Sequence, residues 1–279
     1  MPRRPSATQS LAVLRHHYEI ERELAQRLRT APRDERRSLY TALYDELFRR
    51  VPQHPLLIRK GDPADAARRT AWKLALLERY LRPEMVVLEV GPGDLSLACA
   101  LAPRVRKVYA VDVSEEIMRR GDLPPNLALA LSDGCSVPVP ERSVDLACSN
   151  QLMEHLHPDD AVEQLGNLYR ALAPGGLYVC VTPSRLSGPH DVSQYFEDTA
   201  TGFHLKEYTY GELAPLFRAA GFRRLHAYLG GRGVYARFPL AAIGAAETLL
   251  EALPVGLART LGRTLPGQAV LGINLVGMK

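Results

Sequence analysis

The stretch Met85-Val86-Val87-Leu88-Glu89-Val90-Gly91-Pro92-Gly93-Asp94 constrains this chain more than any other. Residues 86–90 are mostly β-branched and apolar, which suits a strand buried in a parallel sheet. Gly91 and Gly93 carry no Cβ, so the backbone there can turn sharply and pass close to a ligand. Residues 95–102 read as the helix that follows. Strand, glycine turn and helix make a nucleotide-binding corner with the helix start facing the ligand.

At 279 residues the chain is long enough for one large domain with an appended region. No run approaches the roughly 18 uncharged apolar residues that a membrane-spanning helix needs. Met1-Pro2-Arg3-Arg4-Pro5 has basic residues but no apolar segment behind them, so no secretory signal is expected. Cys99, Cys135, Cys148 and Cys180 form no CxxC pair, which points to reduced thiols and a cytoplasmic location rather than a zinc site. Residues 1–84 hold 18 Lys/Arg against 11 Asp/Glu, a net of +7, whereas the remainder is −3. That asymmetry marks solvated helices, or a surface that meets an acidic substrate, a nucleic acid or a membrane.

The N-terminal region reads as helical. Leu11, Leu14, Tyr18, Leu24 and Leu28 recur at helical spacing, and Leu39, Leu43, Leu47 and Phe48 share a face after Pro32. A third helix is expected to be capped by Asp62, with Pro63 in its first turn, and to run to Pro83. The heavy arginine content predicts a lid or partner face rather than a core. From Glu84 the rhythm becomes strand–helix alternation, which implies a parallel sheet. Strands are expected at 86–90, 107–112, 127–131, 144–149, 177–182, 223–229 and 269–278. Helices are expected from Ser114-Glu115-Glu116 and over 159–172 and 210–220. Residues 183–209 form a long loop, a length that is usually functional. Residues 234–265 read as apolar and largely helical, with Glu247 and Glu251 on one face.

The glycine corner alone also opens dinucleotide-dependent oxidoreductase folds. Here the sixth position of GxGxxG is Ser96, Glu89 stands two residues before the first glycine, Asp112 ends strand two and Asp133 follows strand three. A pyrophosphate would be repelled by these acids, whereas a nucleoside with a ribose diol, an adenine amino group and an ammonium would be held by them. S-adenosylmethionine is such a ligand.

The chain resembles class I S-adenosylmethionine-dependent methyltransferases, and is similar to the branch that includes quinone-biosynthesis methyltransferases. Residues 87–94 resemble the family's first motif, Val111-Asp112 its second and Ser132-Asp133-Gly134 its third. Ser143-Val144-Asp145-Leu146-Ala147-Cys148-Ser149-Asn150, then Met153-Glu154-His155-Leu156, resembles its fourth, and Leu172-Ala173-Pro174-Gly175-Gly176 its turn before strand five. One departure is Leu95, where many members place a third glycine.

The resemblance implies a Rossmann-like α/β fold: a seven-stranded, mostly parallel sheet with an antiparallel last strand, plus an N-terminal helical region. Residues 1–84 would be a lid or substrate cap. Residues 85–279 would be the methyltransferase domain, with 183–209 and 234–265 as the acceptor-site lid. Gly91 and Gly93 would pass under the cofactor, with Glu89 bracing the turn or the ammonium. Asp112, with Val113 beside it, would take the ribose hydroxyls, and Asp133 with the Gly134 amide would take the adenine. Asn150 and Gln151 would lie near the methyl group. The activity implied is methyl transfer to a small-molecule or biosynthetic-intermediate acceptor. RNA or protein as acceptor, and NAD-dependent oxidoreduction, are the alternatives.

Histidines are the candidate bases, which favours oxygen over nitrogen as the accepting atom. His155 follows strand four at the carboxyl end of the sheet, whereas His157 reads as a helix-start residue. His190 and His204 lie in the long loop, where with Asp191 and Glu207 they fit no standard metal-ligand spacing and are expected to line the acceptor pocket.

Overall fold

A computed structural model describes residues 10–54, 63–114, 118, 121–264, 267 and 271–279. The expected cap Asp62 and the helix start at Glu115-Glu116 lie outside the described residues. Five parallel strands stand in the order β3-β2-β1-β4-β5: β1 (Val86–Val90), β2 (Lys107–Asp112), β3 (Leu127–Leu131), β4 (Val144–Asn150) and β5 (Leu172–Thr182). The sheet continues through β8 (Ile273–Met278) to β6 (Arg224–Gly231) and β7 (Val234–Phe238), with β8 antiparallel to both its neighbours. β1 lies between β2 and β4, so the chain order reverses at its carboxyl end, where open α/β sheets bind ligands.

β7 is an eighth strand where helix was expected. Arg232 and Gly233 join it to β6, both with positive φ (52° and 89°), the handedness that two-residue hairpins favour. It is an edge strand with Val234 largely in water, so no hydrophobic alternation announces it.

Helices cover both faces. α3 (Pro63–Leu77) and α4 (Ser96–Leu101) pack on the side to which Val87 points. α1 (Leu11–Thr30), α2 (Arg33–Arg50), α5 (Pro158–Ala171) and α6 (Tyr210–Ala220) cover the side of Leu88 and Val90. Alternation along β1 therefore sends Glu89 to the α3/α4 side. α6 begins with a reciprocal capping box between Thr209 and Glu212 and ends at Gly221, whose φ of 112° lets the chain leave the helix.

The N-terminal helices are core, contrary to the reading of their arginines. Leu24, Leu28, Tyr40, Leu43 and Leu47 are buried in the same apolar cluster as Val90, Val111 and Met153. The leucines face inward, and most of the arginines find acids or carbonyls around the rim: Arg27 pairs with Glu46, Arg50 with Glu23 and Glu46, and Arg33 and Arg37 with Glu163. Arg29 donates to the carbonyls of Thr201, Gly202 and His204, which ties α1 to the 183–209 loop.

α7 (Leu240–Glu251) and α8 (Val255–Gly262) complete the chain's helices among the described residues. Glu247 is buried, where its carboxylate accepts from the Tyr210 and Gly211 amides at the start of α6, and Glu251 pairs with Arg185. No helix is long and apolar enough to cross a membrane among the described residues.

Candidate functional site

The turn after β1 holds three alternate left-handed positions: Gly91 (φ 68°), Gly93 (φ 58°) and Leu95 (φ 60°). A Cβ on Gly91 would stand 3.0 Å from Leu152 Cδ1, whereas one on Gly93 would meet nothing within 4 Å. Asp112, at the end of β2, is fixed opposite this turn. Its Oδ1 accepts from the Val113 and Ser114 amides (2.7 and 3.3 Å) and its Oδ2 from the Gly93 amide (3.3 Å).

These groups border a cavity of about 370 Å³ at the carboxyl end of β1, β2 and β4. Of the residues expected at the site, Gly91, Gly93, Asp112, Val113, Gly134, Asn150, Gln151 and His155 lie on its walls. Gln151 adopts φ 57°, a strained conformation for a residue with a side chain, and its amide donates to the Val181 carbonyl at 2.8 Å. α2 adds Tyr40, Tyr44 and Phe48, and α3 adds Arg69, Thr70 and Lys73. The Tyr44 and Phe48 rings stand 6.2 Å apart, and Tyr44 meets His155 edge-on at 6.1 Å. Tyr40 lies over Gly134: a Cβ there would be 2.6 Å from its ring.

Two of the expected carboxylates stand off the walls. Glu89 is buried beneath the corner, where desolvation pushes its carboxyl up to about 7 against the pull of Lys73, with Asp94 and Asp112 adding to the rise. Its Oε2 has no hydrogen-bond partner. Asp133 turns back into its own loop: Oδ1 accepts from the Cys135 and Ser136 amides, and Oδ2 lies 3.5 Å from Arg37. Burial works against its charge, but the Ser136 and Cys135 amides and Arg37 outweigh it and hold its carboxyl below the usual range. Asp133 thus braces its own turn and meets α2 through Arg37.

Only one of the three candidate histidines reaches the cavity. The Phe203 carbonyl, which can only accept, lies 3.0 Å from His155 Nδ1, so Nδ1 carries the proton and Nε2 is the acceptor. Burial, with His204 beside it, pushes His155 down to about 3. His204 sits behind it, edge-on at 4.8 Å, with its Nδ1 2.7 Å from Glu207 Oε1. Burial opposes charge on His204, but Glu207, Glu154 and Asp191 hold it up at about 9. His190 is further off: its Nε2 lies 3.0 Å from Ser187 Oγ and its amide donates to Glu207. His190 and His204 therefore brace the loop rather than line the cavity. Glu154 is fully buried, pushed up to about 7 by that burial, with Oε2 accepting from Thr182 and Oε1 unpartnered. His157 caps α5, accepting from the Asp159 amide at 3.3 Å.

The profile of the family described as "Methyltransferase domain" matches residues 88–180, the segment that carries the corner, Asp112 and the strand-four wall. Residues 88–180 carry a methyltransferase domain of the class I S-adenosylmethionine-dependent kind. Over 137 residues it is 29% identical to a probable S-adenosylmethionine-dependent methyltransferase of Mycolicibacterium smegmatis, covering 49% of this chain and 51% of that protein. A probable S-adenosylmethionine-dependent methyltransferase of Mycobacterium tuberculosis is 30% identical over 137 residues, covering 49% and 48%. The chain thus spans about half the length of the curated relatives it matches. A solved phosphoethanolamine N-methyltransferase of Haemonchus contortus shares the fold, with a TM-score of 0.56 at 15% identity over 89% of this chain and 50% of that one.

The cofactor of a methyltransferase domain of this kind is S-adenosylmethionine, and the residues present fit it. Gly93 leaves open the room that a Cβ would begin to fill, and Asp112 offers the wall two oxygens that each accept more than one hydrogen bond. The sequence reading missed Tyr40, Tyr44 and Phe48 on α2 and Thr70 and Lys73 on α3. The signal available was their helical spacing, 40-44-48 and 66-70-73, which also describes any core-facing stripe.

Proposed function

We propose that this chain transfers a methyl group from S-adenosylmethionine to a small-molecule acceptor. In this reading residues 1–84 cap the acceptor side of the methyltransferase domain through Tyr40, Tyr44 and Phe48, and 183–209 backs His155 through the Phe203 carbonyl. The observation that carries it is one shared cavity, whose walls combine Gly91, Gly93 and Asp112 with the rings of Tyr44, Phe48 and His155. When bound, the cofactor supplies a methyl group on a sulfonium, open to in-line displacement. The protein's part is to hold the acceptor in line, an effect worth up to roughly 7–11 kcal/mol. Tyr44 and Phe48 offer apolar faces for a flat or apolar acceptor.

Oxygen is the favoured accepting atom, because His155 Nε2 is an acceptor suited to orienting a hydroxyl. With its pKa pushed down to about 3, the imidazole aims the hydroxyl, whose proton passes to water as the oxygen takes the methyl group. Against a nucleic-acid acceptor stands the pairing of the α1 and α2 arginines with Glu23, Glu46, Asp160 and Glu163, which leaves little unbalanced charge for phosphates.

The test is incubation of the protein with methyl-labelled cofactor and a cell extract, followed by mass spectrometry. Label in a small molecule supports the reading. Label confined to RNA or protein supports the rival acceptors, and no transfer to any fraction contradicts it.

A further inference from the structure

Outside the cavity, three donors converge from segments beyond the matched domain. His17 and Glu21 stand one turn apart on α1, and His54 follows the end of α2. His17 Nε2 lies 2.7 Å and His54 Nε2 3.5 Å from the same oxygen, Glu21 Oε1. The three donor atoms lie within 4.8 Å of one another, and all three residues are buried. We propose that His17, Glu21 and His54 form a binding site for a divalent transition-metal ion, with zinc the best match.

Donor chemistry comes first. Two imidazole nitrogens and a carboxylate oxygen are the set that zinc takes when it keeps a further position for water. Donors bound to one ion at roughly 2.0–2.2 Å stand about 3–3.5 Å apart for right-angled to tetrahedral arrangements, close to the two distances here. The carboxylate is also aimed from behind: the Phe203 amide donates to Glu21 Oε2 at 3.2 Å, the kind of bond that orients a metal-ligating carboxylate. Gly202 passes so close that a Cβ would stand 2.4 Å from that oxygen.

Charge points the same way. Glu21's ion-pair partners among the described residues are these two imidazoles, not a lysine or arginine. A buried carboxylate needs a positive partner, and a divalent ion supplies it without requiring either ring to take a proton. The ion would join α1, the end of α2 and the 183–209 loop. Because the Phe203 carbonyl also fixes His155, the site clamps one wall of the cavity.

The experiment takes the full chain stripped with a chelator and titrates it with Zn²⁺ by calorimetry and with Co²⁺ by visible absorption. One equivalent, a cobalt d–d spectrum of low coordination number and a rise in Tm are expected. Glu21→Gln and His54→Gln, checked for folding by circular dichroism, should weaken that equivalent by at least roughly a hundredfold, while Glu154→Gln leaves it intact. Where a variant does not fold, X-ray absorption of the zinc-loaded wild type decides: two imidazoles with oxygen support the site, and any other ligand set overturns it. No bound equivalent, or one that survives in folded Glu21→Gln, overturns it too.

Discussion

Arg36 and Asp160 form a bidentate ion pair, Nε to Oδ2 at 2.7 Å and Nη2 to Oδ1 at 2.8 Å, with both side chains almost wholly out of water. The pair fastens α2 to α5, and Tyr40 completes it by donating its hydroxyl to Asp160 Oδ2 and accepting from the His157 amide. Burial works against charge on Asp160, but Arg36 and Tyr40 outweigh it and hold its carboxyl below the usual range. The N-terminal helices are thus bolted to the methyltransferase domain beside the turn that bears Gly134.

Arg36→Ala should therefore leave a buried carboxylate without its cation, a loss of about 3–5 kcal/mol. Thermal unfolding should shift down by on the order of 10 °C. Since Tyr40 covers Gly134 and walls the cavity, S-adenosylhomocysteine should also bind more weakly. An unchanged Tm would show that the pair is not what holds α2 in place.

Gly91 and Gly93 should separate stability from binding. Both have positive φ, so alanine at either costs about 1 kcal/mol in the backbone. Gly91→Ala also meets Leu152, whereas Gly93→Ala meets no protein atom within 4 Å and projects into room assigned to the cofactor. Gly91→Ala should show the larger fall in Tm, and Gly93→Ala the larger loss of S-adenosylhomocysteine affinity relative to its fall in Tm. Equal affinity in wild type and Gly93→Ala contradicts the placement.

What the sequence displays well is local. The glycine corner, the helix at 210–220 with its cap and terminal glycine, and His157 as a cap all follow from residues a few positions apart. Leu95 is instructive: it stands where many members of the resembling family place a glycine, and it takes a left-handed conformation with a fully buried side chain. Legibility fails where distant segments meet. Nothing near Asp133 in sequence foretells that Arg37 lies 3.5 Å away, or that Tyr44 would face His155. The arginines of α1 and α2 masked a leucine face that is core.

Glu89 should leave a pH signature. In the unfolded chain it titrates near 4.5, and in the fold near 7, so between those values the folded state holds a proton that the unfolded state has lost. Its contribution to stability is present at low pH, declines as pH rises from about 4.5 to 7, and is gone above. Glu89→Gln removes this decline. The variant should gain up to about 3 kcal/mol over wild type at pH 8 and little at pH 4.5, read from Tm differences. A difference that does not vary with pH contradicts the burial of a raised carboxyl.

His155 should act without titrating. With its pKa pushed down to about 3, the ring stays neutral across the working range. His155→Gln should lower kcat by roughly a hundredfold, yet the shape of the kcat/KM profile between about pH 5.5 and 8 should match wild type. An acid limb near pH 6.5 that vanishes in the variant would make His155 a general base instead.

The most direct test of the account is calorimetric titration of the purified chain with S-adenosylhomocysteine, beside Asp112→Ala. Wild type should bind one equivalent, and the variant, having lost both oxygens that Gly93, Val113 and Ser114 hold in place, should bind at least roughly tenfold more weakly. No heat with wild type, or the same affinity in both, contradicts a cofactor seated between the glycine corner and Asp112.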